Sequence, residues 1–267
     1  MPPSGNPRGR ENDRLLLSVL LLAAIVLAVA EYLLIPIRFN SVFPGALARW
    51  APGVWYTTSE AALAAGERGT WWGPLLPFVW WSGGLAICWI LLPGLLARRW
   101  GFSWRDLGWQ VGALGSKLWI YVLLFLPVGV AVLWASRQES FLANYPMLRP
   151  EQIVDWSWAL LLAYWALYAL QFVCVEFFFR GYLLFTLESR LGLAAIGVSV
   201  VPYSMIHYHK PLPEVFAAIL AGCVLGWLAL KTRSLWGGVL LHVAVALSMD
   251  VAALSATGVG FPDRFMP

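Results

Sequence analysis

The sequence predicts an all-α fold, a polytopic integral membrane helical bundle of about seven to eight transmembrane helices. Three observations carry that reading. Hydrophobic residues fill 60% of 267 positions against 12% charged, with mean hydropathy +0.72, whereas charged residues approach about a quarter of a soluble domain. Apolar runs near the ~20 residues a helix needs to cross a bilayer recur along the chain. The 17 tryptophans suit membrane–water interfaces, where indoles concentrate.

Residues 1–14, MPPSGNPRGRENDR, are polar and rich in Pro and Gly, the composition of a disordered tail. The apolar run that follows has no small-residue cleavage site and continues into EYLLIP, so it reads as a retained span and not a cleaved signal. Spans are expected near 15–36, 74–97, 117–136, 154–188, 191–208, 213–230 and 235–256. The fourth exceeds one simple crossing; it is either a tilted helix or a span whose end runs along the interface. Seven crossings follow, with eight as the alternative. Only the connections 37–73 and 98–116 are long, and the second, RRWGFSWRDLGWQVGALGSK, mixes bases and tryptophans as an interfacial segment does. The chain thus divides into a tail (1–14), N-terminal spans with interfacial loops (15–153), a membrane core holding the chemistry (154–256) and a C-terminal tail (257–267).

The net charge of +4 comes from bases scattered singly or in pairs, as positive-inside topology requires. Nucleic-acid binding is excluded, since no basic patch with interleaved aromatics occurs. With the N-terminus inside and seven crossings, ten Lys and Arg fall inside and seven outside; the cluster Arg98–Lys117 argues most for a cytoplasmic N-terminus. Cys88, Cys174 and Cys223 lie in apolar runs without a CxxC pair, so neither a disulfide framework nor a cysteine zinc site is indicated.

Within the fourth span, CVEFFFRGYLL holds two full charges. Glu176 and Arg180 stand at i and i+4, one helix face, with the glutamate N-terminal as such pairs prefer. Charges inside a membrane are costly and mark sites. The three histidines, His207, His209 and His242, all fall in the last 61 residues, two of them on apolar spans. A carboxylate and two imidazoles support two chemistries. In one, Glu176 and a histidine deprotonate water while the other histidine donates to an oxyanion. In the other, Glu176, His207 and His242 bind a metal such as zinc with a position open for water. Both end in hydrolysis, for which the natural substrate within a membrane is a peptide bond. HExxH, GxSxG and GxGD are absent. A proton-coupled transporter is the reading from another class, because buried Glu/His pairs also relay protons; matching halves with paired broken helices, the transporter signature, are not seen.

Three ordered segments resemble the motifs of the CPBP family, which includes type II CAAX prenyl proteases and bacteriocin-processing relatives, intramembrane glutamic endopeptidases. VEFFFRGYLLF resembles its Glu-Glu-x-x-x-Arg-Gly-Tyr/Phe-Leu segment; YSMIH resembles Phe-x-x-x-His, with Tyr203 and His207 in place; HVAVA resembles His-x-x-x-Asn, with His242 in place. The likeness covers roughly residues 154–250. In that family the first glutamate and the second-motif histidine activate water, and the third-motif histidine and asparagine form the oxyanion hole. The second glutamate and the arginine brace one another. The resemblance therefore implies that His207 activates water, that His242 helps form the oxyanion hole and that Glu176, in the second glutamate's place, braces Arg180, with Tyr203 in support. It implies no cofactor, and zinc remains the alternative. It also implies a membrane-anchored protein or peptide substrate of CAAX, leader or C-terminal sorting-tail type, lipid surroundings and, in a bacterium, the cytoplasmic membrane. The chain departs from the pattern twice. Val175 replaces the first glutamate and Ala246 replaces the asparagine, so either Glu176 has taken over as base or the chain is a non-catalytic relative.

Overall fold

The structure, a computed structural model, describes residues 7–34, 73–153, 156–208, 210, 212–258 and 260–266. Most of the long connection 37–73, the first six residues of the expected tail, and His209 lie outside the described residues.

Helix α1, Pro7–Val29, begins within the stretch expected as tail and ends in a wide π turn, Ala30–Leu34. After a short 3-10 turn, Gly73–Leu75, α2 (Leu76–Leu85), a π turn (Ala86–Leu91) and α3 (Leu92–Arg99) form the second apolar helix. Next come α4, Leu114–Ala135, and the short α5, Glu139–Leu142. The overlong fourth span is one helix of 34 residues, built from α6 (Trp158–Glu176), a π segment (Phe177–Phe185) and α7 (Thr186–Leu191). It stops at Gly192, whose φ of +55° suits glycine and whose N–H donates to the Glu188 carbonyl at 2.8 Å. Helix α8, Ala194–Met205, α9, Leu212–Thr232, and α10, Trp236–Ala256, complete the order. Among the described residues there is no strand.

Six of these helices are long and apolar enough to cross a membrane. The expected fifth span is a helix of only 12 residues, about 18 Å at 1.5 Å per residue. Many large apolar side chains face outward, among them Leu17, Ile25, Trp119, Leu133 and Leu220. In water such a surface would drive association; against lipid tails it is the ordinary exterior. The protein is a multi-pass integral membrane protein.

The described residues fall into two compact units. The first takes residues 1–32, 85–119 and 173–239 and is organised around the π segment, in which all nine residues are buried. The consecutive phenylalanines reach different neighbours. Phe177 packs on Trp104 and Trp109, Phe178 stacks on Trp89 at 5.1 Å, and Phe179 meets Trp89 and Tyr203 edge-on. Ser199 donates to the Phe179 carbonyl at 2.7 Å and the Tyr182 hydroxyl to that of Val19 at 3.3 Å, tying α8 and α1 to the segment. The loop after α3 is stitched to the turn between α9 and α10. Leu235 N–H donates to Gly108 at 3.1 Å, Ala113 N–H to Thr232 at 2.9 Å, and Trp109 packs on Trp236.

The second unit takes residues 33–84, 120–172 and 240–267. Its main core joins Leu75, Phe78, Leu160, Leu161, Tyr164 and Leu254. Asp250, fully buried, accepts from Trp165 Nε1 at 3.1 Å. The start of α6 is held by the C-terminal segment, Trp158 N–H donating to the Arg264 carbonyl at 3.0 Å.

Candidate active site

Glu176 closes α6, and Arg180 lies one turn on, inside the π segment. Wide turns of this kind recur at functional sites because they re-aim side chains without ending the helix. Arg180 Nη1 lies 3.1 Å from Glu176 Oε1, and both side chains are about 2% exposed. A buried pair of this geometry offsets its desolvation in part, while either charge alone would be far more costly.

The Arg180 guanidinium also stands over the Tyr203 ring, 4.3 Å from its centroid, a cation–π contact that gains strength out of water. Tyr203 lies on α8, packed against His207 with ring centroids 4.9 Å apart. His207 Nδ1 is 2.9 Å from the Tyr203 carbonyl. A carbonyl only accepts, so Nδ1 carries the proton, and in the neutral ring Nε2 holds the lone pair. Glu176, Arg180, Tyr203 and His207 therefore form one contiguous polar array in the first unit.

A further member of the array was not foreseen from the sequence. A Cβ added to Gly238 would collide with the Glu176 carboxylate. The bare backbone there lets the carboxylate lie against the first turn of α10, whose positive dipole end favours a negative charge. The available signal was the Gly-Gly pair one turn before His242 in WGGVLLH.

His242 belongs to the second unit, where it stacks on Phe172 at 5.5 Å with planes 6° apart. Of the two departures from the family pattern, Val175 is buried in the first unit, and Ala246 sits in the second unit's apolar core with Leu160, Leu161 and Tyr164. Among the described residues no group of three or more His, Cys, Asp or Glu side chains is placed to hold a metal ion.

A family model described as Type II CAAX prenyl endopeptidase Rce1-like matches residues 156–248. That stretch is similar to the Rce1-like family. The match takes in Glu176, Arg180, Tyr203, His207, Gly238 and His242, and the resemblance read from the three motifs holds at this level. No curated protein and no solved structure matches the chain. The Rce1-like region begins two residues before α6 and ends within α10, so the first three long helices lie outside it.

Proposed function

We propose that the chain is an intramembrane endopeptidase that hydrolyses a peptide bond of a membrane-associated protein without a metal. The buried array from Glu176 through Arg180 and Tyr203 to His207 is the observation that carries this reading, together with the Rce1-like match. Water gives one proton to the base formed by Glu176 and His207 Nε2, and the hydroxide adds to the scissile carbonyl carbon. The role of donor to the resulting oxyanion is assigned to His242 on the family resemblance alone. The proton then passes to the leaving amine as the C–N bond breaks. Arg180 holds the carboxylate in place through their ion pair, and Tyr203 orients both Arg180 and the His207 ring. Gly238 and His242 are four residues apart in α10, a spacing that puts both on one helix face.

The substrate is proposed as a membrane-anchored peptide of the CAAX type, with leader and C-terminal sorting segments as the other classes. The test uses purified full-length protein in liposomes with a prenylated CAAX peptide and with unprenylated membrane peptides. Wild type should cleave, and Glu176→Gln should reduce the rate by about 10²–10⁴, the usual worth of a general base. Cleavage persisting in Glu176→Gln would overturn the assignment of Glu176. Loss on chelation with recovery on zinc would replace water activation by a metal, and proton-coupled uptake without any product would replace hydrolysis by transport.

A second reading, a non-catalytic relative that binds such substrates, is favoured by Ala246. Where the family places a donor, this chain has a small apolar residue in an apolar core. On that reading wild type is inert, and Val175→Glu with Ala246→Asn restores turnover.

A further inference from the structure

Away from Glu176 the first unit holds a cavity of about 710 Å³, lined in part by Trp100, Phe102, Arg105, Gln110, Phe185 and Arg233. It opens where three apolar helices end: α3 at Arg99, α7 at Leu191 and α9 at Thr232. No residue of the polar array lines the cavity, and Glu188, which does, stands twelve helical positions beyond Glu176, about 18 Å along the helix.

Its charges are unevenly satisfied. Glu188 is bridged by both terminal nitrogens of Arg233. Asp106 accepts from the Ser103 N–H at 2.7 Å and from its hydroxyl at 2.6 Å, which holds its carboxyl below the ordinary value. Both carboxylates are thus occupied. Arg105 makes no salt bridge among the described residues, although its charge helps lower the carboxyl of the adjoining Asp106. Its backbone is fixed, since its carbonyl accepts from Gln110 Nε2 at 3.2 Å and from Gly108 N–H at 3.0 Å. Trp100, on the apolar side, donates to Ser18 at 3.1 Å, and Arg233 lies over the Phe185 ring. The pocket is therefore lined by three aromatic rings, two arginines and two carboxylates, and Arg105 is the guanidinium that neither carboxylate holds in a salt bridge.

We propose that this cavity binds the headgroup phosphodiester of an anionic phospholipid, with Arg105 supplying the charge and Trp100, Phe102 and Phe185 receiving the glycerol and the first acyl carbons. A phosphate oxygen is what a guanidinium recognises best. Basic pockets between membrane helices at the level of the headgroups take anionic lipids for this reason. The volume falls within the range of small-molecule sites, about 300–1,000 Å³. Arg98, Arg99, Lys117, Arg190 and Lys231 flank the same helix ends and enrich such lipids nearby without lining the cavity. The site does not depend on hydrolysis by the chain.

The experiment is native mass spectrometry of the full-length protein in neutral detergent, titrated with phosphatidylglycerol and with phosphatidylcholine. Wild type should retain phosphatidylglycerol selectively. Arg105→Gln should weaken it about tenfold, the loss of one charge-assisted bond. Arg105→Lys should weaken it less, and Lys117→Gln should leave it unchanged. Equal retention of the two lipids, or equal losses from Arg105→Gln and Lys117→Gln, would overturn the site. Displacement by millimolar inorganic phosphate would make it a free-anion site instead. Displacement by a peptide with a free C-terminal carboxylate, but not by its amide, would make it a substrate-tail site.

Discussion

A single missing side chain governs the Glu176 carboxylate. Gly238→Ala places a methyl group against it, and the carboxylate must then leave the first turn of α10. The expected outcome is a loss of peptide cleavage comparable to Glu176→Gln, with expression and helical content retained, measured by processing and by circular dichroism on one preparation. Arg180 makes the complementary case. Arg180→Met strands Glu176 as a buried charge, a cost of roughly 3–5 kcal/mol, whereas Glu176→Gln with Arg180→Met removes both charges. The double variant should therefore unfold at higher temperature than Arg180→Met alone; an equal or lower midpoint would show that Glu176 is not a stranded charge once Arg180 is gone. The ion pair was legible in the sequence because a spacing of four is a local property of a helix. Gly238 was not, since its role is a contact between segments 62 residues apart, and nothing about a glycine says what approaches it.

The π segment is the element on which the first unit turns. Gly181 sits within it, and a Cβ there would come 2.8 Å from the Leu107 carbonyl, a backbone atom that cannot swing aside. Gly181→Ala should push the loop after α3 off the segment and cost about 1–3 kcal/mol, as overpacking does. Tryptophan fluorescence reads this, because Trp104 and Trp109 pack on Phe177 in the same loop. The apolar helices were legible from length and composition, since lipid imposes both. The wide turn was not. Its hydrogen-bond register is set by packing from Trp89, Trp104 and Ser199, which no periodicity within FFFRGYLLF encodes. Helix α8 shows the same limit: an apolar run over 191–208 becomes 12 helical residues and then a turn that carries His207.

At the scale of the whole molecule, backbone hydrogen bonds constrain how the chain threads the membrane. Ala113 N–H donates to Thr232, so those residues share one side, and an even number of crossings must separate them. Between them lie α4, the long helix 158–191, α8 and α9; α8 therefore counts as a crossing despite its length, and seven crossings follow among the described residues. Cysteines at Ser103 and Arg233 should accordingly react with an impermeant thiol reagent from one side of sealed vesicles, and a cysteine at Arg264 from the other. Reaction of all three from one side would remove a crossing. The placement of the ion pair also bears on biosynthesis. A lone arginine at the centre of a nascent span costs about 2.5–3.5 kcal/mol at the translocon, and a partner on another span would arrive too late to help. Glu176 and Arg180 leave the ribosome four residues apart, so the segment enters lipid already carrying its own counter-ion, before either histidine has been synthesised.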